Sequence, residues 1–103
     1  ELGKKQLRQT IEYYMDNVRM MRRILSPLNL RIYGGEHIPY LWIKIPKKTS
    51  SWEFFESMLY SAKVICTPGV VFGPGGEGYV RLSAFAKRQD CENAAKRLKD
   101  WLE

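Results

Sequence analysis

The sequence holds one histidine and two cysteines. A single histidine excludes metal sites built on several, the His-Glu-x-x-His pattern among them. Cys66 and Cys91 have 24 residues between them and belong to no Cys-x-x-Cys pair, so no disulfide scaffold is expected. Cys66 lies in the apolar stretch Val64-Ile65-Cys66 and Cys91 on a helical pattern. Both are expected to be small buried hydrophobes, in a reduced, cytoplasmic setting. No apolar run approaches the ~18 residues of a membrane-spanning helix. No membrane partner is therefore expected, and the start of the chain carries no signal-peptide pattern. A Gly-x-Ser-x-Gly elbow is missing and no cysteine–histidine neighbourhood is legible, which leaves covalent hydrolysis without machinery. None of the nine lysines sits in a context that would depress its pKa. No catalytic residue is expected within this chain. It opens Glu-Leu-Gly with no initiator methionine, and we expect a processed product or a piece of something longer.

What is present fits one soluble globular domain over residues 1–103, with 45% apolar, 27% charged and 13% aromatic residues. The net charge is +6, and residues 1–31 carry seven cations against three acids. Such a patch can attract phosphates by releasing counterions. A solvated helix face with intramolecular partners is the expectation we carry forward.

Apolar residues recur at three- and four-residue steps from Lys5 to Leu25 (Leu7, Ile11, Tyr14, Val18, Met21, Leu25), which predicts one long helix stopped by Ser26-Pro27. Residues 28–33 are a candidate strand ending at Gly34-Gly35. Residues 38–45 alternate cleanly, with Leu41, Ile43 and Ile45 on one side and Tyr40, Trp42 and Lys44 on the other. Thr49-Ser50-Ser51 supplies a cap for a second helix, with Trp52, Phe55, Leu59 and Ala62 as its inward stripe. Val64-Ile65-Cys66 reads as a short strand or an extended connection. Residues 79–85 alternate again, with Val80, Leu82 and Ala84 against Tyr79, Arg81, Ser83 and Phe85. Residues 89–102 place Cys91, Ala94, Ala95, Leu98 and Leu102 on a third helical stripe, with Asp90 at its positive end. This order predicts an α+β fold, a small, mostly antiparallel sheet with helices packed on one face. The aliphatic side belongs under the helices. The other side carries Tyr40, Trp42, Tyr79, Phe85 and Arg81, a surface expected to meet an absent neighbour.

The run Gly73-Pro74-Gly75-Gly76-Glu77-Gly78 satisfies G-x-G-x-x-G literally but opens a strand rather than a helix, so it lacks the helix N-terminus that receives a pyrophosphate. Its glycines are expected to permit a tight path where side chains would collide. Gly78-Tyr79-Val80-Arg81-Leu82-Ser83-Ala84-Phe85 resembles the RNA-recognition strand signature, with Tyr79 and Phe85 to stack bases and Arg81 to meet phosphate. A basic α+β nucleic-acid-binding module is therefore the alternative reading, though a chain that opens on a helix has the wrong element order for that fold. His37 is a loop residue without partner spacing. Arg81 offers a planar fork suited to a carboxylate, with an internal salt bridge to Glu77 or a helix acid as its structural alternative.

Tyr33-Gly34-Gly35-Glu36-His37-Ile38-Pro39-Tyr40-Leu41-Trp42, Thr67-Pro68-Gly69, and Phe72 through Phe85 together resemble the C-terminal small domain of pyridoxal-phosphate-dependent class I/II aminotransferases. Within that family the motifs are most similar to the members acting on LL-diaminopimelate. They depart from that pattern at His37-Ile38, Val70-Val71 and Ala86-Lys87. The resemblance implies that Arg81 binds the substrate α-carboxylate. It also implies that the Schiff-base lysine and most pyridoxal 5'-phosphate contacts lie in a large domain absent from this chain. The implied partners are amino-acid and 2-oxo-acid substrates and a second copy in a homodimer, with no nucleic acid. A regulatory amino-acid-binding domain on the same fold is a further alternative.

Overall fold

The structure, a computed structural model, describes residues 2–103; Glu1, counted above among the acids, lies outside them. The first helix, α1, spans Leu2–Leu25. Pro27 ends it, and the chain tightens into a 3-10 turn at Ser26–Leu28, with Asn29 left-handed at φ 57°. That turn consumes the first half of the stretch 28–33 expected to be a strand. Only β1, Ile32–Tyr33, is extended. β2 (Tyr40–Lys44) follows Pro39, whose missing N–H suits a strand's first flank. α2 (Ser51–Ser57) is capped by Ser50, whose hydroxyl accepts from the Glu53 N–H at 3.1 Å. The helix then widens into a π-turn at Met58–Ala62, closed by left-handed Lys63. β3 (Thr67–Pro68), two 3-10 turns (Gly69–Phe72 and Pro74–Gly76), β4 (Tyr79–Ser83) and α3 (Arg88–Leu102) complete the chain. Val64-Ile65-Cys66 is thus an extended connection into β3, with only Ile65 facing solvent.

All strand pairs are antiparallel, in the order β1-β2-β4-β3. The long central pair sets the register, with Leu41 opposite Leu82, Trp42 opposite Arg81 and Ile43 opposite Val80. Because successive side chains point to opposite faces, this register gathers Leu41, Ile43, Ile45, Val80, Leu82 and Ala84 on one side. They are buried there with Val18, Met21 and Leu25 of α1, Phe54 of α2, Met58 of the π-turn, and Cys91, Ala95 and Leu98 of α3. Each buried large aliphatic contributes roughly 1.5–3 kcal/mol. This is the expected α+β architecture, with its helices on the aliphatic face.

Two expected helix stripes need correction. In α2 and the π-turn that continues it the buried positions are Ser51, Phe54, Met58 and Ala62, whereas Trp52 is 51% exposed. The cause is an anchor at the first turn: the Glu77 carboxylate accepts from the Ser51 N–H at 2.7 Å and from its hydroxyl at 3.1 Å, which turns that side inward. In α1 the stripe is covered only from Tyr14 onward, and Leu7 and Ile11 remain 61% and 45% exposed. A helix of 24 residues is about 36 Å long, and every described residue of it before Tyr14 is exposed.

α1 is tied to the far corner through a residue that periodicity alone did not mark. Asn17, fully buried, donates from Nδ2 to the carbonyls of Ala84 (3.2 Å) and Ala86 (2.9 Å). Its Oδ1 accepts from Arg88 Nε at 3.0 Å. Arg88 also donates its backbone N–H to the Tyr13 hydroxyl and a guanidinium N–H to the Tyr13 carbonyl. The basic patch is partly used internally as well: Arg19 pairs with Asp16 and Glu12, and Arg22 donates to the carbonyls of Ile32 and Gly34.

Truncation of Asn17 to alanine strands two carbonyls and a guanidinium N–H, so unfolding in urea should show a loss of about 1–3 kcal/mol. A loss near zero would mean that water replaces the amide at no cost. Both cysteines are free and buried, and burial pushes the Cys66 thiol up to about 12 from 9.0. The folded chain therefore holds that proton more tightly than the unfolded chain. Stability from this group is fully present below about pH 9 and declines as pH climbs towards 12. At pH 8, a thiol reagent should label native Cys66 far more slowly than the urea-unfolded chain, and equal rates would contradict its burial.

Candidate functional site

The sheet face away from the helices carries the alternate positions Tyr40, Trp42, Tyr79 and Arg81, all half-buried. Arg81 sits at the centre of β4, with Trp42 beside it on β2 and Thr67 on β3. Its Cζ lies 3.9 Å from the Tyr40 ring centroid and 4.5 Å from that of Phe72. These are close cation–π contacts, within the roughly 6 Å range of that attraction. Among the described residues, no ion pair and no side-chain hydrogen bond involves Arg81. Glu77, the acid nearest in sequence, spends both carboxylate oxygens on Ser51. The internal salt bridge weighed above for Arg81 is therefore not formed, and its fork of N–H donors faces an open cleft.

The two flanking rings are braced in turn. Tyr40 stands edge-on to Phe85 at 5.3 Å, and Phe85 packs against Tyr14 of α1 at 5.1 Å. Phe72 stands edge-on to Trp42 at 5.4 Å. Phe72 arrives on the glycine-rich loop, and the loop's path explains its composition. Gly69 and Gly76 cross so closely that a Cβ on Gly69 would lie 2.0 Å from the Gly76 carbonyl oxygen. A Cβ on Gly76 would lie 2.1 Å from that of Gly69. Of the glycines expected to permit a tight path, Gly76 alone does so, at this backbone crossing with Gly69; a Cβ on Gly73, Gly75 or Gly78 would meet nothing within 4 Å, and Gly73 and Gly78 instead take positive φ.

The cleft beside Arg81 has a volume of about 520 Å³ and is lined also by Gly34, Gly35, Glu36, His37, Ile38, Tyr40 and Trp42. His37 is exposed at its rim, in the loop between β1 and β2. No lysine lines this cleft, and eight of the nine lysines are exposed to solvent; the ninth, half-buried Lys99, pairs with Glu103 at the end of α3. The residues present do not form a pyridoxal phosphate site: they include neither a lysine placed to bond a carbonyl nor a cradle for its phosphate. What they form is one carboxylate-sized cationic fork on an aromatic floor.

Comparison with known proteins places this geometry. Residues 1–98 match the family model described as aminotransferase class I and II. The chain belongs to the class I and II aminotransferase family. This aminotransferase chain is 57% identical over 100 residues to the LL-diaminopimelate aminotransferase of Phocaeicola vulgatus, covering 97% of itself and 24% of that protein. It is 56% identical to the enzyme of that name from Bacteroides fragilis, with the same coverage. The solved L,L-diaminopimelate aminotransferase from Chlamydomonas reinhardtii superposes with a TM-score of 0.92 at 33% identity, over 98% of this chain and 25% of that one. An aromatic aminotransferase from Pyrococcus horikoshii superposes with a TM-score of 0.89 at 28% identity, over 99% and 28%. The chain spans about a quarter of the length of the relatives it matches.

The structure brings together Arg81, Tyr40 and Trp42 as the alternation predicts, and leaves His37 at the rim. Phe85 and Tyr79 do not touch the fork; Phe85 braces Tyr40, and Tyr79 packs on Tyr33. Sequence reasoning did not single out Phe72. The only sign of it is an aromatic residue at the mouth of a glycine run.

Gly76→Ala forces a side chain into the crossing, so the loop must open or the domain must pay for it. A destabilisation of about 1–3 kcal/mol is expected in thermal or urea unfolding. Gly75→Ala, where an added Cβ meets nothing within 4 Å, is the control and should cost far less.

Proposed function

We propose that residues 1–103 are the small domain of a pyridoxal 5'-phosphate-dependent aminotransferase, and that Arg81 holds the α-carboxylate of its substrate. The intact protein would move an amino group from an amino acid, with LL-diaminopimelate as the candidate donor, to a 2-oxo acid such as 2-oxoglutarate. The names of the relatives support the donor. The observation that carries the role of Arg81 is its guanidinium, half-buried in a cleft whose one acid, the exposed Glu36, forms no ion pair with it. An arginine fork grips a carboxylate with two parallel charge-assisted bonds. Fixing the carboxylate fixes the α-carbon attached to it, which is a positioning contribution to the rate.

Pyridoxal phosphate, when bound, supplies the electron sink for amino-group chemistry, and on this reading the lysine that bonds it lies outside these 103 residues. The 103-residue chain alone therefore neither holds the cofactor nor transaminates. The uncovered half of α1, with Leu7 and Ile11 exposed, and the aromatic sheet face both suit contact with such a large domain. A homodimer in the cytoplasm completes the reading, and two free thiols fit a reducing compartment.

Steady-state kinetics of the full-length protein test the assignment. Arg81→Ala should raise KM for the amino acid and lower kcat, with kcat/KM reduced about 100-fold or more, and Arg81→Lys should recover only part of the loss. Unchanged kinetics in Arg81→Ala would refute it.

A further inference from the structure

We infer that Phe72 and Tyr40 are positioning residues for Arg81: their rings hold the guanidinium in place while leaving its N–H donors free for the carboxylate. The inference rests on the reading of Arg81 given above and extends it to two residues that touch no reacting atom. A flexible arginine side chain loses much rotamer entropy when it is fixed. A carboxylate that fixed it would consume the same donors that a substrate needs. Here the restraint comes from aromatic faces, at 3.9 Å for Tyr40 and 4.5 Å for Phe72, and these attract the cation through its π-facing surface.

The restraint is built from two independent sides. Tyr40 is on β2 and is backed by Phe85 and, through it, by Tyr14 of α1. Phe72 is on the loop and is backed by Trp42, while the Gly69–Gly76 crossing turns that loop over the sheet. Phe72 is 52% exposed, so core packing does not account for its place, and half of its surface is free to be replaced without opening the core. Its ring is nevertheless set against the cation. The glycine-rich loop thus delivers a ring to the arginine rather than backbone N–H groups to a phosphate.

The experiment uses the full-length protein and five variants in the same assay: Phe72→Leu, Phe72→Tyr, Tyr40→Leu, Tyr40→Phe and Arg81→Ala. Leucine keeps an apolar side chain but has no π face. The leucine variants should each raise KM for the amino acid about threefold to tenfold, with kcat changed less, and the ring-retaining variants should restore KM to within about twofold of the parent. Thermal unfolding, run alongside, should move by no more than a few degrees for the Phe72 pair. If Phe72→Leu and Tyr40→Leu match the parent while Arg81→Ala is impaired, the inference fails and the role of Arg81 stands. If Arg81→Ala itself matches the parent, the underlying reading fails. A rise in KM in Phe72→Tyr equal to that in Phe72→Leu would also overturn the inference, because shape rather than the π face would then be responsible.

Discussion

The antiparallel pairing of β2 with β4 governs everything else in this domain. One register places Leu41 on Leu82 and Ile43 on Val80 beneath the helices, and the same register places Trp42 beside Arg81 on the reverse side. A slip of one residue would exchange the faces, burying a guanidinium and exposing the aliphatic core. The cost of burying an unpaired cation and the gain from the aliphatic cluster therefore enforce a single arrangement. Folding and the presentation of Arg81 are the same event.

The covered face is ordinary in its energetics, and the uncovered face is not. Its aromatic rings form a run of contacts from Tyr14 through Phe85 and Tyr40 to Arg81, and a second from Trp42 through Phe72 to the same cation. No acid among the described residues pairs with that cation: Glu77 is committed to the first turn of α2, and Glu36, exposed on the wall of the same cleft, makes no ion pair with it. A cation held by rings and paired with no acid of its own domain is suited to a ligand that brings one. That chemistry agrees with membership of the class I and II aminotransferases, whose model matches residues 1–98.

Period-two alternation in two strands made the sheet legible from sequence, and with it the side on which Arg81 stands. Helix periodicity located α1, α2 and α3 but could not give which face of α2 turns inward. That depended on a long-range bond from Glu77 to Ser51, 26 residues away. Nor could it say that Leu7 and Ile11 would lie bare, because an apolar stripe records what it is made to meet and not whether the partner is in the same chain. Residues 28–33 misled for a local reason, the left-handed Asn29 after a proline turn. Phe72 was invisible for a geometric one: its position depends on two glycines whose backbones touch across the loop, a contact that no spacing rule encodes.

The most direct test of the central claim is a crystal structure of the full-length protein with an amino-acid substrate or a carboxylate analogue bound. The account predicts that both carboxylate oxygens accept from the Arg81 guanidinium, with its Cζ still over the rings of Tyr40 and Phe72. A carboxylate bound elsewhere, with Arg81 paired to an acid of the protein, would contradict it.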